Sequence, residues 1–350
     1  MSVWLGNRSI PNRRAWLAAA GILLALALAG CAAKKPPGAI AEAAKPAPPP
    51  PKPQPPPIST HAPFAITAGL DGALWYTEYQ GDGIGRITTY GSVERFKIDP
   101  DGFAERITAG PDGAIWFTDT AGNRIGRLAA DGHVVYIKLP HEKSGPAGIA
   151  AGPDNNVWFS EHSGDRLGYI TMRGQLTELP LPKGVGAGEI VTGSDGNLWV
   201  AEDGSNMIAR VNPNGGIKQF AIPTTHAVPG GLTLGPDANV WFTELAADKV
   251  GKITPDGAIT EFALPGNGAP ISIASGADGN LYVTAAGARV IYRVARSGEI
   301  STVPLPPDVI ASRITAGPDG DLWFTQPNGK IGKMTPAGVI TEYRVARVGS

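Results

Sequence analysis

Five carboxylates recur at one phase of the chain: Glu78, Asp119, Glu161, Glu202 and Glu244 each stand three residues after an aromatic side chain. The sixth and seventh places of the series hold Ala285 and Gln326. Acidic groups gathered on one rim attract a cation or a cationic ligand. Glu161 is followed by His162, the one member of the series with an imidazole next to it, so this pair is the candidate for catalysis or metal binding. His61, His141 and His226 fall in the same class of loop. Glu78, Asp119, Glu202, Glu244 and His226 are therefore candidate ligand contacts. The plainer reading is that a repeat copies its surface with its core, and that these groups cap turns or face water. No G-x-S-x-G, H-E-x-x-H or P-loop pattern is present. Asp99-Pro100-Asp101-Gly102 has calcium-like spacing but is more simply a turn.

The aromatics that set this phase belong to a repeat. Each follows an Asp-Gly-like turn, as in Asp71-Gly72-Ala73-Leu74-Trp75 and Asp195-Gly196-Asn197-Leu198-Trp199. The leading Asp residues at 71, 112, 154, 195, 237, 278 and 319 lie 41 or 42 apart. Every unit holds four short β-prone runs. In the last they are Arg313 to Ala316, Leu322 to Thr325, Lys330 to Met334 and Val339 to Val345. Turns of Gly, Asn, Asp and Pro separate them. This pattern predicts an all-β fold, a seven-bladed β-propeller with four antiparallel strands per blade. The aromatic on each second strand fills the wedge between blades, Tyr282 replacing Trp in the sixth. Arg86, Arg127, Arg210, Lys252, Arg293 and Lys333 on the third strands read as exposed strand charges, a series that Tyr169 breaks. Each unit is complete in phase, so the ring is expected to close by packing blade seven on blade one.

The chain has 47 Gly and 33 Pro, and 11 of the prolines lie between Pro36 and Pro57. That segment has too few large apolar residues to fold and favours extended polyproline II. Before it, Arg8, Arg13 and Arg14 precede an uncharged apolar run from Ala15 to Ala29. Fifteen residues suit a signal peptide better than a membrane span of about 20. The run ends Leu28-Ala29-Gly30-Cys31, which resembles the bacterial lipobox, and Cys31 is the only cysteine. The expected organisation is a lipoprotein signal peptide at 1–30, a lipidated Cys31 with a disordered Pro-rich linker at 31–57, and the propeller at 58–350. The membrane is then a partner through Cys31. The expected location is the bacterial cell envelope, at the outer membrane facing the periplasm. A formal charge of −1 gives no electrostatic reason to expect nucleic acid.

The repeat carries a more specific likeness. Ile314-Thr315-Ala316-Gly317-Pro318-Asp319-Gly320-Asp321-Leu322-Trp323-Phe324-Thr325, with Lys330-Ile331-Gly332-Lys333-Met334 and Ile340-Thr341-Glu342-Tyr343, resembles the virginiamycin B lyase (streptogramin lyase) family. The resemblance implies a magnesium-dependent lyase that opens a cyclic depsipeptide antibiotic by C–O elimination, and hence antibiotic resistance. It places catalytic histidines two residues before the Ile that opens the inner strand of the last two blades. Here those positions are Ile271 and Ser312. The family's carboxylate positions fall on Ile310 and Pro327. The lyases also complete the last blade with an N-terminal strand, whereas Ile340 to Val345 supplies it here. The expectation is therefore an envelope lipoprotein whose propeller binds a small molecule or an envelope protein. The alternative is a streptogramin B lyase with relocated groups, or a related lyase or hydrolase.

Overall fold

The computed structural model describes residues 61–79 and 81–345. The chain divides into two units, Met1–Pro55 and Pro56–Ser350. The segments expected to be the signal peptide and the Pro-rich linker, with Cys31, lie outside the described residues. The second unit is built from seven four-stranded antiparallel sheets, each in simple sequence order. Blade one consists of β1 (Pro63–Ala68), β2 (Ala73–Glu78), β3 (Gly83–Thr88) and β4 (Val93–Lys97). The later blades occupy 104–138, 146–180, 187–221, 229–263, 270–304 and 314–344. The expected propeller is observed, and blade seven draws its outer strand, Ile340–Arg344, from its own repeat.

Burial follows strand position. Second strands such as Val157–Glu161 are buried along their whole length, because a blade covers each face. Outer strands such as β4 are largely exposed. Alternation along the second strand assigns its two large rings to different tasks. Trp75 packs into the next blade with Ile107, Ile115 and Phe117. Tyr76, Phe117, Phe159, Phe242 and Phe324 lie over a glycine of the third strand in their own blade, while blades four and six have Val200 and Val283 there, facing Ala209 and Tyr292. A Cβ at Gly168 would enter the Phe159 ring. Burying each Trp contributes roughly 1.5–3 kcal/mol.

The Asp-Gly turn has a chemical reason to precede the Trp. Asp195 Oδ1 accepts the Trp199 indole N–H at 3.2 Å and the Asn197 backbone N–H at 3.2 Å. Gly196 takes φ 70°, a left-handed turn conformation that Gly adopts without strain. The other Asp oxygen often takes a cation from the third strand, as in Arg86–Asp71 at 2.7 Å, Arg127–Asp112 at 2.7 Å and Lys333–Asp319 at 2.8 Å. These bases also lie over the indoles, with Lys252 Nζ 5.2 Å from the Trp241 centroid. They are not simply the exposed strand charges expected: the turn Asp holds Arg86, Arg127, Lys252 and Lys333 near the ring, whereas Arg210 donates to the Pro255 carbonyl at 2.6 Å. Tyr169, which breaks the series, packs its own ring at a tilt against Trp158, with centroids 4.7 Å apart.

The inner strands carry a register irregularity in blades one to six. A bulge leaves one N–H outside the ladder. In blades one, two, three and five a second-strand hydroxyl takes it up. Thr77 Oγ1 accepts Ala65 N–H at 3.0 Å, and Ser160 Oγ accepts Gly148 N–H at 2.8 Å. The same hydroxyl then donates to the next blade, as from Thr118 to Ala147 O at 3.0 Å and from Ser160 to Gly188 O at 2.7 Å. The seam uses the same device: Thr325 Oγ1 donates to Phe64 O at 3.0 Å. Trp323 meanwhile packs with Ile66, Leu74, Tyr76 and Ile87 of blade one.

Candidate functional site

The inner strands enclose a central channel of about 510 Å³. Most of its lining repeats from blade to blade as Ile, Thr or Ala. At one register position, just before the Ile or Leu of the inner strand, the repeat breaks. Blades two, four and seven place Arg106, Glu189 and Arg313 there, among Ala65, Gly148, Gly231 and Ser272. The small residues leave room for the long ones. Gly148 is required for another reason: a Cβ there would overlap the Gly188 carbonyl oxygen.

Arg106 reaches past blade three to pair with Glu189 at 3.0 Å, and lies 3.7 Å from Glu105. Its guanidinium sits 5.6 Å from the Phe64 ring centroid. Phe64 also meets Tyr79 and Phe103, at centroid distances of 5.8 and 5.9 Å. Burial tends to raise the Glu189 carboxyl, but Arg106 and Arg313 outweigh it and hold the group below its ordinary range. Arg313 is differently placed. Its Nη1 donates to the Ile271 carbonyl at 3.0 Å, and no carboxylate pairs with it directly among the described residues. Burial, reinforced by the Arg106 charge, pushes its guanidinium down to about 10.

The five repeated carboxylates are all buried. They point beneath the loops onto the outer half of their own blades. Glu78 accepts Arg95 through both oxygens, at 2.7 and 2.8 Å. Asp119 accepts Arg124 at 2.7 Å and the Phe103 N–H at 2.8 Å. Glu202 accepts Ser205 at 2.8 Å and Gln219 at 2.6 Å. Glu161 and Glu244 find no such donors, and their oxygens lack hydrogen-bond partners. Burial, with Glu178 nearby, pushes Glu161 up to about 7. Burial, with Glu261 nearby, pushes Glu244 up to about 8. Glu161 and His162 are adjacent in sequence but diverge in space. Glu161 turns toward Arg166, whose Nη1 is 3.9 Å away, while His162 Nε2 lies 3.0 Å from Asp203 in the next blade. His226 is exposed with φ 55°, and His141 Nε2 approaches Glu178 at 3.2 Å.

One cluster brings three ligand-type side chains together among the described residues: His61, Glu78 and Asp82. Arg95 already fills its centre, bonding both Glu78 and Asp82. Asp99 caps its own turn through the Asp101 N–H at 3.0 Å and pairs with Arg124 at 2.8 Å, so the calcium-like spacing serves a turn.

A family model, described as the virginiamycin B lyase family, matches residues 52–188 and 183–350. The chain belongs to the virginiamycin B lyase family. A solved streptogramin B lyase is 33% identical, with a TM-score of 0.75 over 81% of this chain and 94% of its own. The virginiamycin B lyase of Staphylococcus aureus is 36% identical, with a TM-score of 0.75 over 79% of this chain and 95% of its own. A catalytically inactive histidine-to-alanine variant of that enzyme, solved with quinupristin, is 35% identical, covers 78% of this chain and 94% of its own, and has a TM-score of 0.74. No curated protein matches.

Within this virginiamycin B lyase family member, the two positions that the family gives to histidine are both altered. Ile271 offers its carbonyl to Arg313, and the Ser312 carbonyl accepts the Thr284 hydroxyl. Ile310 and Pro327 provide no side-chain ligand where the family has carboxylates. The residues present therefore do not fit the family's magnesium site. Arg106, Glu189 and Arg313 were not singled out from sequence. Their signal was the variation at one place in an otherwise uniform repeat.

Proposed function

We propose that the protein is a ligand- or partner-binding propeller tethered at the cell envelope, in which the lyase chemistry of the family has been lost. The observation that supports this most directly is the pair Ile271 and Ser312. An elimination needs a base to take a proton from carbon and an acid or cation near the leaving carboxylate. An isoleucine side chain supplies neither. A serine hydroxyl is no base near neutral pH without a partner that accepts its proton. Ile310 and Pro327 leave a magnesium ion no carboxylate at the family's positions. The binding surface lies at the channel, where the inner strands present charge among Ile, Ala and Thr side chains.

Incubating the 56–350 propeller with quinupristin and magnesium, with mass spectrometry of the products, tests the loss of activity. The expected result is intact cyclic depsipeptide. Turnover above a heat-denatured control would overturn the reading. The lipid anchor rests on the Cys31 context. The Cys31→Ser chain is expected to leave the membrane fraction, and its retention there would remove the lipid from the account.

A further inference from the structure

Arg106, Glu189 and Arg313 stand at one level of the channel, and their bonding is unequal. Arg106 bonds Glu189 across the channel through Nε and has Glu105 beside it at 3.7 Å, although its Nη1 makes no hydrogen bond. Arg313 bonds only a carbonyl, through one of its two terminal nitrogens. A guanidinium presents five N–H donors in a planar fork that fits a carboxylate through two parallel bonds. Enclosing such a group without a counter-ion is costly, and an anion entering the channel removes that cost. The channel's volume of about 510 Å³ falls within the ordinary size of small-molecule sites. We propose that the channel is a binding site for a small monocarboxylate, with Arg313 as its anchor.

The charges select the ligand class. A singly charged, planar carboxylate matches the single unpaired guanidinium. A dianion such as phosphate would face the Glu189 and Glu105 carboxylates as well. Glu189 also competes with the ligand, because its charge already draws on Arg313 through space. Ser272, Gly231 and Gly148 bring no bulk at this level, which leaves the floor of the site open. The inference deepens the reading of the chain as a binding propeller and rests on it for biological use. Lyase turnover would overturn that reading while leaving an anion titration unaffected.

The test is calorimetric titration of the 56–350 propeller with acetate and, separately, with inorganic phosphate. Acetate is expected to saturate one site with a Kd at or below about 10 mM. Arg313→Gln is expected to weaken it at least about tenfold, the loss of a charge-assisted pair. Glu189→Gln is expected to tighten it, an opposite change that damage to the fold does not produce. Should Arg313→Gln fail to fold, Glu189→Gln alone decides. Absence of saturable acetate binding, unchanged affinity in Glu189→Gln, or phosphate binding tighter than acetate would each overturn the proposal.

Discussion

Glu244 is wholly buried, and neither of its oxygens meets an N–H or O–H donor. Its polar neighbour is Glu261. Burial raises that carboxyl too, but the Thr224 hydroxyl and N–H and Lys249 overcome the effect and keep it below its ordinary range. A proton on Glu244 therefore turns a repulsive pair into a hydrogen-bonding one. The folded value is about 8 against an ordinary 4.5. The folded state thus holds a proton that the unfolded chain releases between roughly pH 4.5 and 8. Stability falls as pH rises through that window and levels off above it. A rise of roughly 3.5 units at 1.36 kcal/mol each sets a ceiling of about 5 kcal/mol. The dielectric response of the surroundings reduces this to about 2–3 kcal/mol. Gln has the shape of the neutral acid and cannot ionise. Glu244→Gln is accordingly expected to match the wild type within about 0.5 kcal/mol at pH 5 and to exceed it by about 2–3 kcal/mol at pH 9. Urea unfolding followed by tryptophan fluorescence at the two pH values measures the difference. An equal change at both pH values would refute the argument, because it would show that the carboxyl's charge state does not distinguish folded from unfolded chain.

Two further substitutions probe the repeat itself. Asp154→Ala leaves the Trp158 indole N–H, now bonded at 3.0 Å, without its acceptor. It is expected to cost about 1–3 kcal/mol in urea unfolding and to alter the tryptophan emission; no change would show that the Asp serves only the turn. Thr325→Val removes both the acceptor for Arg313 N–H and the donor to Phe64 O at the seam. A loss of roughly 1–3 kcal/mol is expected, against a neutral result if water replaces the hydroxyl.

The architecture was legible because every blade repeats the same physical solution. The turn-forming Asp, the aromatic four residues after it and the 41- or 42-residue spacing each report one packing requirement in blade after blade. What escaped was the direction of side chains. A Glu at the end of a second strand reads as a rim group, yet Glu161 is buried beneath its loops. Likewise Arg86 reads as a surface charge until Asp71 is seen to hold it against the indole of Trp75. The channel charges were harder still. A repeat directs attention to what recurs, whereas Arg106, Glu189 and Arg313 matter because they do not, and only ring closure brings residues 83 and 124 positions apart to one level.

Since each blade is a continuous stretch of chain, the joint between blades seven and one is chemically like the six others. No shared strand marks where the ring begins. The polypeptide ends could be moved to any between-blade loop without dividing a sheet, and the number of blades could grow or shrink by whole units. A ring assembled this way has no keystone. Its resistance to opening is distributed over seven similar interfaces, each packed around a Trp or Tyr ring, so a lesion at one seam weakens the circle without orphaning any strand.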